Sequence, residues 1–199
     1  KLMLVLYKPT SGEILINNKS TRDMSFEEQV GYFGVTYQDF SRYNISILDN
    51  VALSSQNDAT AKVKSILSSL GFDYSKFPSG VDSLVGHSFG NGIDISGGEW
   101  QKIAIARMLF TDRPFCIMDE PTASLDPISE VELYKQIQTA FSGKTSLLIT
   151  HRLGATVICD NIIVLNGGKI VESGTFSELL EKGGVYAKMY NEQKQWYKK

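Results

Sequence analysis

Asp119 and Glu120 follow directly on Phe115-Cys116-Ile117-Met118, a fully apolar run of strand length. An open parallel sheet binds its ligands outside the carboxyl ends of its strands, so two carboxylates there are placed for chemistry. Asp119 offers the hard oxygen that Mg²⁺ prefers, usually through water. Glu120 would then face the attacking water of a hydrolysis. Taken alone, the pair reads equally well as an acidic, solvent-facing loop.

Ser96-Gly97-Gly98-Glu99 is the second informative stretch. A capping box accounts for the serine and the glutamate three residues on. It does not account for two consecutive glycines in a first helical turn, which cost about 1 kcal/mol each relative to alanine. Glycine there lets a ligand approach the backbone, and the free N–H groups and positive dipole end of a helix suit a phosphate.

His151 comes just after the apolar stretch Ser146 to Thr150, and Gln38 just after Val30 to Thr36. Either alone reads as an ordinary structural histidine or loop amide. Together with Asp119 and Glu120 they make four polar side chains immediately past strands that should be neighbours, and this convergence is the argument for a site.

The elements that must position these residues alternate. Lys1 to Leu6 reads as the continuation of an apolar helix, stopped by the turn Lys8-Pro9-Thr10-Ser11-Gly12. Glu13 to Ile16 is a short strand, Ser25 to Gln29 a helical turn, and Val30 to Thr36 a strand. From Asn44 to about Gly71, Ile47, Val51, Val63, Ile66, Leu67 and Leu70 recur at helical spacing. Phe77 to Asp94 is glycine-rich loop, and a helix follows from Glu99 to Phe110. Strand Phe115 to Met118, helix Glu130 to Phe141, strand Ser146 to Ile149, a hairpin through Asn166-Gly167-Gly168 and a polar closing helix complete the chain. Such a rhythm predicts an α/β fold, a parallel sheet with helical crossovers.

Composition sets the bounds. The 199 residues are 42% hydrophobic, enough for one substantial core, and 20 basic against 22 acidic residues give a formal charge of −2. Bulk charge gives no support to a nucleic-acid partner. Cys116 and Cys159 lie far apart in apolar surroundings, which predicts free thiols in a reducing compartment. The longest apolar runs fall far short of the roughly 18 residues a membrane-spanning helix needs.

Over nearly its whole length the order of segments resembles the nucleotide-binding domain of ATP-binding cassette transporters. Tyr37-Gln38-Asp39 is similar to the Q-loop, Ile95-Ser96-Gly97-Gly98-Glu99 to the family signature, and Phe115 to Glu120 to the Walker B strand with its glutamate. Ala123-Ser124-Leu125-Asp126 resembles the D-loop, and His151 the switch histidine. Ile95 and Glu99 stand where the family usually has leucine and glutamine. The resemblance implies a P-loop NTPase-like fold, with 1–42 and 105–199 as RecA-like core and 43–104 as helical subdomain. It also implies a glycine-rich P-loop with lysine, two strands and an adenine-stacking aromatic ahead of Lys1. None of these is in the sequence, so the amino terminus reads as cut just after the P-loop and this chain alone is expected to be inactive.

The resemblance further implies ATP and Mg²⁺ as cofactors, a second nucleotide-binding domain, identical or not, paired head to tail, and a transmembrane domain at the cytoplasmic face of the cell membrane. By the same resemblance Glu120 polarises the hydrolytic water, His151 contacts the γ-phosphate, and Asp119 serves Mg²⁺. Gln38 joins it at the metal and links the site to the membrane domain. Ser96, Gly97 and Gly98 grip the partner's nucleotide, and Asp126 crosses the dimer interface. Val85 to Gly90 resembles the loop with which exporters touch their membrane domains, His87 replacing a common acidic residue. Ser96 to Ala104, His151 to Gly154 and Tyr190 to Tyr197 are similar to peptide and lantibiotic-type exporters. The expected function is therefore an exporter's ATPase motor for a peptide or drug-like substrate. A non-hydrolysing partner module and a separate ATPase subunit of a permease are the alternatives.

Overall fold

The computed structural model describes residues 1–4, 6–53, 59–86, 92–122 and 125–196. Strands β3 (Phe33–Thr36), β4 (Phe115–Asp119) and β5 (Thr145–Ile149) form a parallel sheet in the order β3-β4-β5. Val35 pairs with Ile117 and Ile117 with Leu147, so the three carboxyl ends lie side by side. β4 is central, and Cys116, Ile117 and Met118 are all buried, as a strand covered on both faces must be. The α/β class expected from the sequence is the one found.

Helices close over this sheet. α2 (Ile47–Ala52), α3 (Thr60–Ser69) and α4 (Gly97–Phe110) pack together, and α4 lies on β3. Gly34 of β3 allows that approach, because a Cβ there would come within 2.9 Å of Met108 Cγ. Ile47, Val63, Leu67, Ile103, Ile105 and Leu133 are fully buried in one core that also takes in Cys116 and Met118. Each such side chain contributes about 2 kcal/mol by leaving water. α4 runs unbroken through residues 104 and 105. α5 (Pro127–Ala140) connects β4 to β5 as a crossover helix.

β1 (Leu15–Ile16) and β2 (Lys19–Ser20) form a hairpin around Asn17 and Asn18, with φ of 50° and 63°. Asparagine tolerates that left-handed turn, a signal absent from the sequence reading. α1 (Phe26–Gly31) takes Val30 and Gly31 from the strand expected there. The expected hairpin is present as β6 (Ile162–Asn166) and β7 (Lys169–Gly174), followed by α6 (Phe176–Lys182) and α7 (Val185–Trp196). These pack a second cluster of Leu153, Ile162, Val164, Leu179 and Tyr186.

One expected element is corrected. Residues 2–4 form turns, not a helix, and Leu2 and Leu6 are about half exposed. Pro9 cannot continue a helix, and Leu2 and Leu6 bury no apolar face that would hold one together. Val5 of the expected opening helix, His87 to Gly90 of the exporter-like loop, Ala123 and Ser124 of the D-loop and Tyr197 of the closing segment lie outside the described residues. Cys116 and Cys159 are free thiols, both raised above their ordinary range by burial.

Candidate active site

The three strand ends build the site. Asp119 closes β4 opposite Ile149 in the register, and Glu120 turns away with a φ of 47°. That left-handed conformation is strained for glutamate and persists only where neighbours fix it. Here the Glu120 N–H donates to Ile149 O at 2.9 Å, tying the turn to β5. Farther along, the Thr122 and Tyr134 hydroxyls meet at 2.8 Å, which anchors the loop to α5. Burial raises the Tyr134 phenol to about 12, against the lowering effect of the Thr122 bond.

His151 stands two residues past β5, with Nδ1 2.7 Å from Glu120 Oε1. An ionised carboxylate only accepts hydrogen bonds, so this contact takes the proton on Nδ1 and leaves Nε2 as the second ring position. The Glu120 side chain is 24% exposed and that of His151 65%, so the pair sits at the surface with the carboxylate partly covered. Asp119 is half-buried beside it, and Gln38 is exposed two residues past β3. Neighbouring strands are about 4.8 Å apart, which sets Gln38, the Asp119–Glu120 pair and His151 across about 10 Å. The sheet thus brings all four strand-end candidates to one rim, while only Glu120 and His151 touch.

Ser96 and the glycines form a separate corner. Ser96 Oγ accepts from Glu99 N at 3.2 Å, and Glu99 Oε2 accepts from Ser96 N at 2.8 Å, the expected capping box. Burial would raise the Glu99 carboxyl, but the Lys76 ammonium and the Ser96 bonds outweigh it and hold it below its ordinary value. Since Oγ of Ser96 only accepts within the box, its O–H proton is left to donate outward. A Cβ on Gly98 would come within 2.7 Å of Leu125 Cδ2, so side-chain packing is one reason for this glycine. Among the described residues, Ser96 and Glu99 bond to each other and Glu99 also to Lys76, with no bond to Glu120 or His151.

Asp126 has a local role that the sequence reading missed. It caps α5, accepting from Ile128 N at 3.0 Å, Ser129 N at 3.1 Å and Ser129 Oγ at 2.6 Å. The Ser129 hydroxyl, above all, holds this carboxyl below its ordinary value. Pro127 at the first helical position was the available signal. Arg152 was also missed. Its guanidinium pairs with the buried Glu130 at 2.5 Å and donates to Leu125 O at 3.2 Å, joining the loop of His151 to α5 and to the residue under Gly98. Nothing local marks a pair 22 residues apart.

Among the described residues no group of three or more His, Cys, Asp or Glu side chains encloses a metal position. The Asp119 carboxylate is the kind of hard oxygen that a hydrated Mg²⁺ accepts. No described helix is long and apolar enough to cross a membrane.

The family model described as ABC transporter matches residues 1–123. The chain is 37% identical over 186 residues to an ATP-dependent lipid A-core flippase of Burkholderia pseudomallei (strain 1710b), covering 92% of this chain and 30% of the flippase. It is 34% identical over 193 residues to the subtilin transport ATP-binding protein SpaT of Bacillus subtilis, covering 95% of this chain and 31% of SpaT. The fold superposes on that of a bacterial Atm1-family ABC exporter solved with ATP bound, with a TM-score of 0.85 at 30% identity, over 96% of this chain and 34% of the exporter. The chain spans about a third of the length of these relatives.

Proposed function

The chain belongs to the ABC transporter family, and from that premise we propose that it is part of the ATP-hydrolysing motor of a membrane exporter. One observation carries the reading: Glu120, strained at the end of the central strand, is paired at 2.7 Å with His151 from the neighbouring strand. A carboxylate and an imidazole held together at a sheet's carboxyl rim are the parts needed to orient and polarise a water.

The residues present fit MgATP. Asp119 supplies the single hard oxygen that a hydrated Mg²⁺ accepts, and the Ser96 hydroxyl and the α4 N-terminus supply donors for an anion. Bound MgATP contributes the phosphoryl bond to be cleaved and the cation that neutralises its charge. Glu120 holds the attacking water and takes up its proton, while His151 fixes one carboxylate oxygen and keeps Nε2 for a further contact. Gln38, on the far side of β4, completes the row at the metal and faces the membrane domain. Ser96, Gly97 and Gly98 serve nucleotide held mainly by a second nucleotide-binding domain, and Asp126 lies at that interface while capping α5. Catalysis here is positioning and charge stabilisation rather than covalent chemistry.

The wider assembly belongs to the same proposal. We place the chain at the cytoplasmic face, with 43–104 as the helical subdomain, 1–42 and 105–199 as core, and a transmembrane domain and a second copy or homologue as partners. The relatives are named for two cargoes, a lipid A core and subtilin, and a peptide or drug-like substrate stands as part of the proposal. The test is MgATP hydrolysis by the exporter that carries this chain, reconstituted with its membrane domain, beside its Glu120→Gln variant. Hydrolysis by the first and not the second supports the motor reading. Absence of hydrolysis in both overturns it in favour of a partner module that lends signature contacts without turnover.

A further inference from the structure

α7 is docked onto the turn that follows His151, and its docking face is specific. Tyr186, Tyr190 and Gln193 fall at helical spacings of four and three, so they share one side of the helix. Tyr186 is 1% exposed, and its hydroxyl meets Thr156 Oγ1 at 2.5 Å inside the 3₁₀ segment Leu153–Ile158. Tyr190 stacks on Tyr186 with centroids 6.1 Å apart and meets Phe176 edge-on at 5.2 Å. Glu172 accepts from the N–H groups of Val185 at 3.0 Å and Tyr186 at 2.8 Å, fixing where the helix starts.

One turn beyond Tyr190, the Gln193 amide completes the contact. Its Oε1 accepts from Leu153 N at 2.6 Å, and its Nε2 donates to His151 O at 3.0 Å. Two opposed bonds to a three-residue span act as a strand partner would, setting the direction of the backbone as well as its position. The same span is held from the other side by Arg152 on Glu130 and Leu125. Among the described residues the His151 ring, 65% exposed, bonds to one side chain, Glu120, so its backbone must be placed by something other than packing.

We propose that Gln193 is a positioning residue for His151: its amide clamps the histidine loop from α7 and thereby holds the imidazole on Glu120. This inference rests on the motor reading above, and its chemistry demands both a donor and an acceptor at one side chain. Glutamate supplies only acceptors when ionised and alanine supplies neither. A misplacement of about 1 Å at such a group costs on the order of 100-fold in rate.

The experiment compares wild type, Gln193→Ala, Gln193→Glu, His151→Ala and the double variant His151→Ala/Gln193→Ala in the reconstituted exporter. Gln193→Ala is expected to lower kcat for ATP about 10- to 100-fold with KM nearly unchanged, Gln193→Glu to fall between, and the double variant to match His151→Ala. Hydrogen exchange at the Leu153 amide, read by mass spectrometry on the same proteins, is expected to quicken in Gln193→Ala whether or not the exporter turns over. Wild-type hydrolysis with an unaffected Gln193→Ala rate overturns the proposal. So does a double variant whose losses multiply, which would assign Gln193 to general stability. Faster exchange with an inactive wild type keeps the clamp and removes the motor reading instead.

Discussion

His151 Nδ1 lies 2.7 Å from Glu120 Oε1 across the ends of two adjacent parallel strands. The contact pairs an imidazole from the end of β5 with a carboxylate from the end of β4 whose own backbone N–H is bound to β5. Replacing Glu120 by glutamine keeps the shape and leaves an amide oxygen facing the ring, but the side chain no longer takes up a proton. In the reconstituted exporter Glu120→Gln should lower kcat at least about 100-fold with nucleotide binding retained, measured by phosphate release and by equilibrium nucleotide binding. Hydrolysis within a factor of about three of wild type would remove Glu120 from its role.

Gly98 separates packing from ligand approach. Among the described residues a Cβ there would crowd the far methyl of Leu125 at 2.7 Å, which a leucine relieves by turning, and would lie 4.0 Å from Ser96 Oγ. Gly98→Ala should therefore fold, its melting temperature within a few degrees of wild type, since helix propensity gains about 1 kcal/mol against the repacking. Hydrolysis should nevertheless fall at least about tenfold. If Gly98→Ala combined with Leu125→Ala regains full activity, the glycine is there for Leu125 and not for a ligand.

The Arg152–Glu130 pair is half-buried, with Glu130 only 6% exposed. Glu130→Ala takes away the carboxylate and leaves the guanidinium with weaker partners, a loss of about 2 kcal/mol for a partly shielded pair. Chemical denaturation should show it as a lower midpoint at unchanged slope. Glu130→Gln should recover part of it, because the amide oxygen still accepts.

Acid should loosen α7 before it touches the sheet. The Tyr186 N–H above all, then that of Val185 with the nearby Lys182 and Lys188, holds the Glu172 carboxyl below its ordinary 4.5, although burial acts the other way. A group with a lowered folded-state value stabilises the fold above its unfolded value, and the contribution fades as pH falls through the folded one. Glu172→Gln should thus melt lower than wild type at pH 7, with the gap narrowing below pH 4.5, as read by thermal scans across that range.

β5 has no strand on its outer edge among the described residues, and Ile149 at its end is 45% exposed. Beside it a groove of about 520 Å³ is lined by Met118, Phe141 and Leu148 together with the polar Lys144, Ser146 and Asp160. An open strand edge invites pairing with other chains. The isolated 199-residue chain should self-associate in ordinary buffer, checked by light scattering after size exclusion. A monodisperse, cooperatively melting monomer would contradict this.

Sequence alone determined the chemistry and the rhythm of the fold. Apolar runs with polar residues just past them named Gln38, Asp119, Glu120 and His151, because a buried parallel strand must be apolar throughout and its ligand groups must follow it. Serine and glutamate three apart fixed the start of α4. Tertiary structure alone decided which of these groups meet, since register places Glu120 beside His151 while leaving Gln38 at the same rim without touching either. It decided that Leu2 to Leu4 form turns rather than a helix, whereas the Asp126 cap of α5 is local and Pro127 signals it. It also brought Gln193 to His151 and Arg152 to Glu130 over 42 and 22 residues of chain. Such pairs follow no period in the sequence, because they form only when separately folded elements dock.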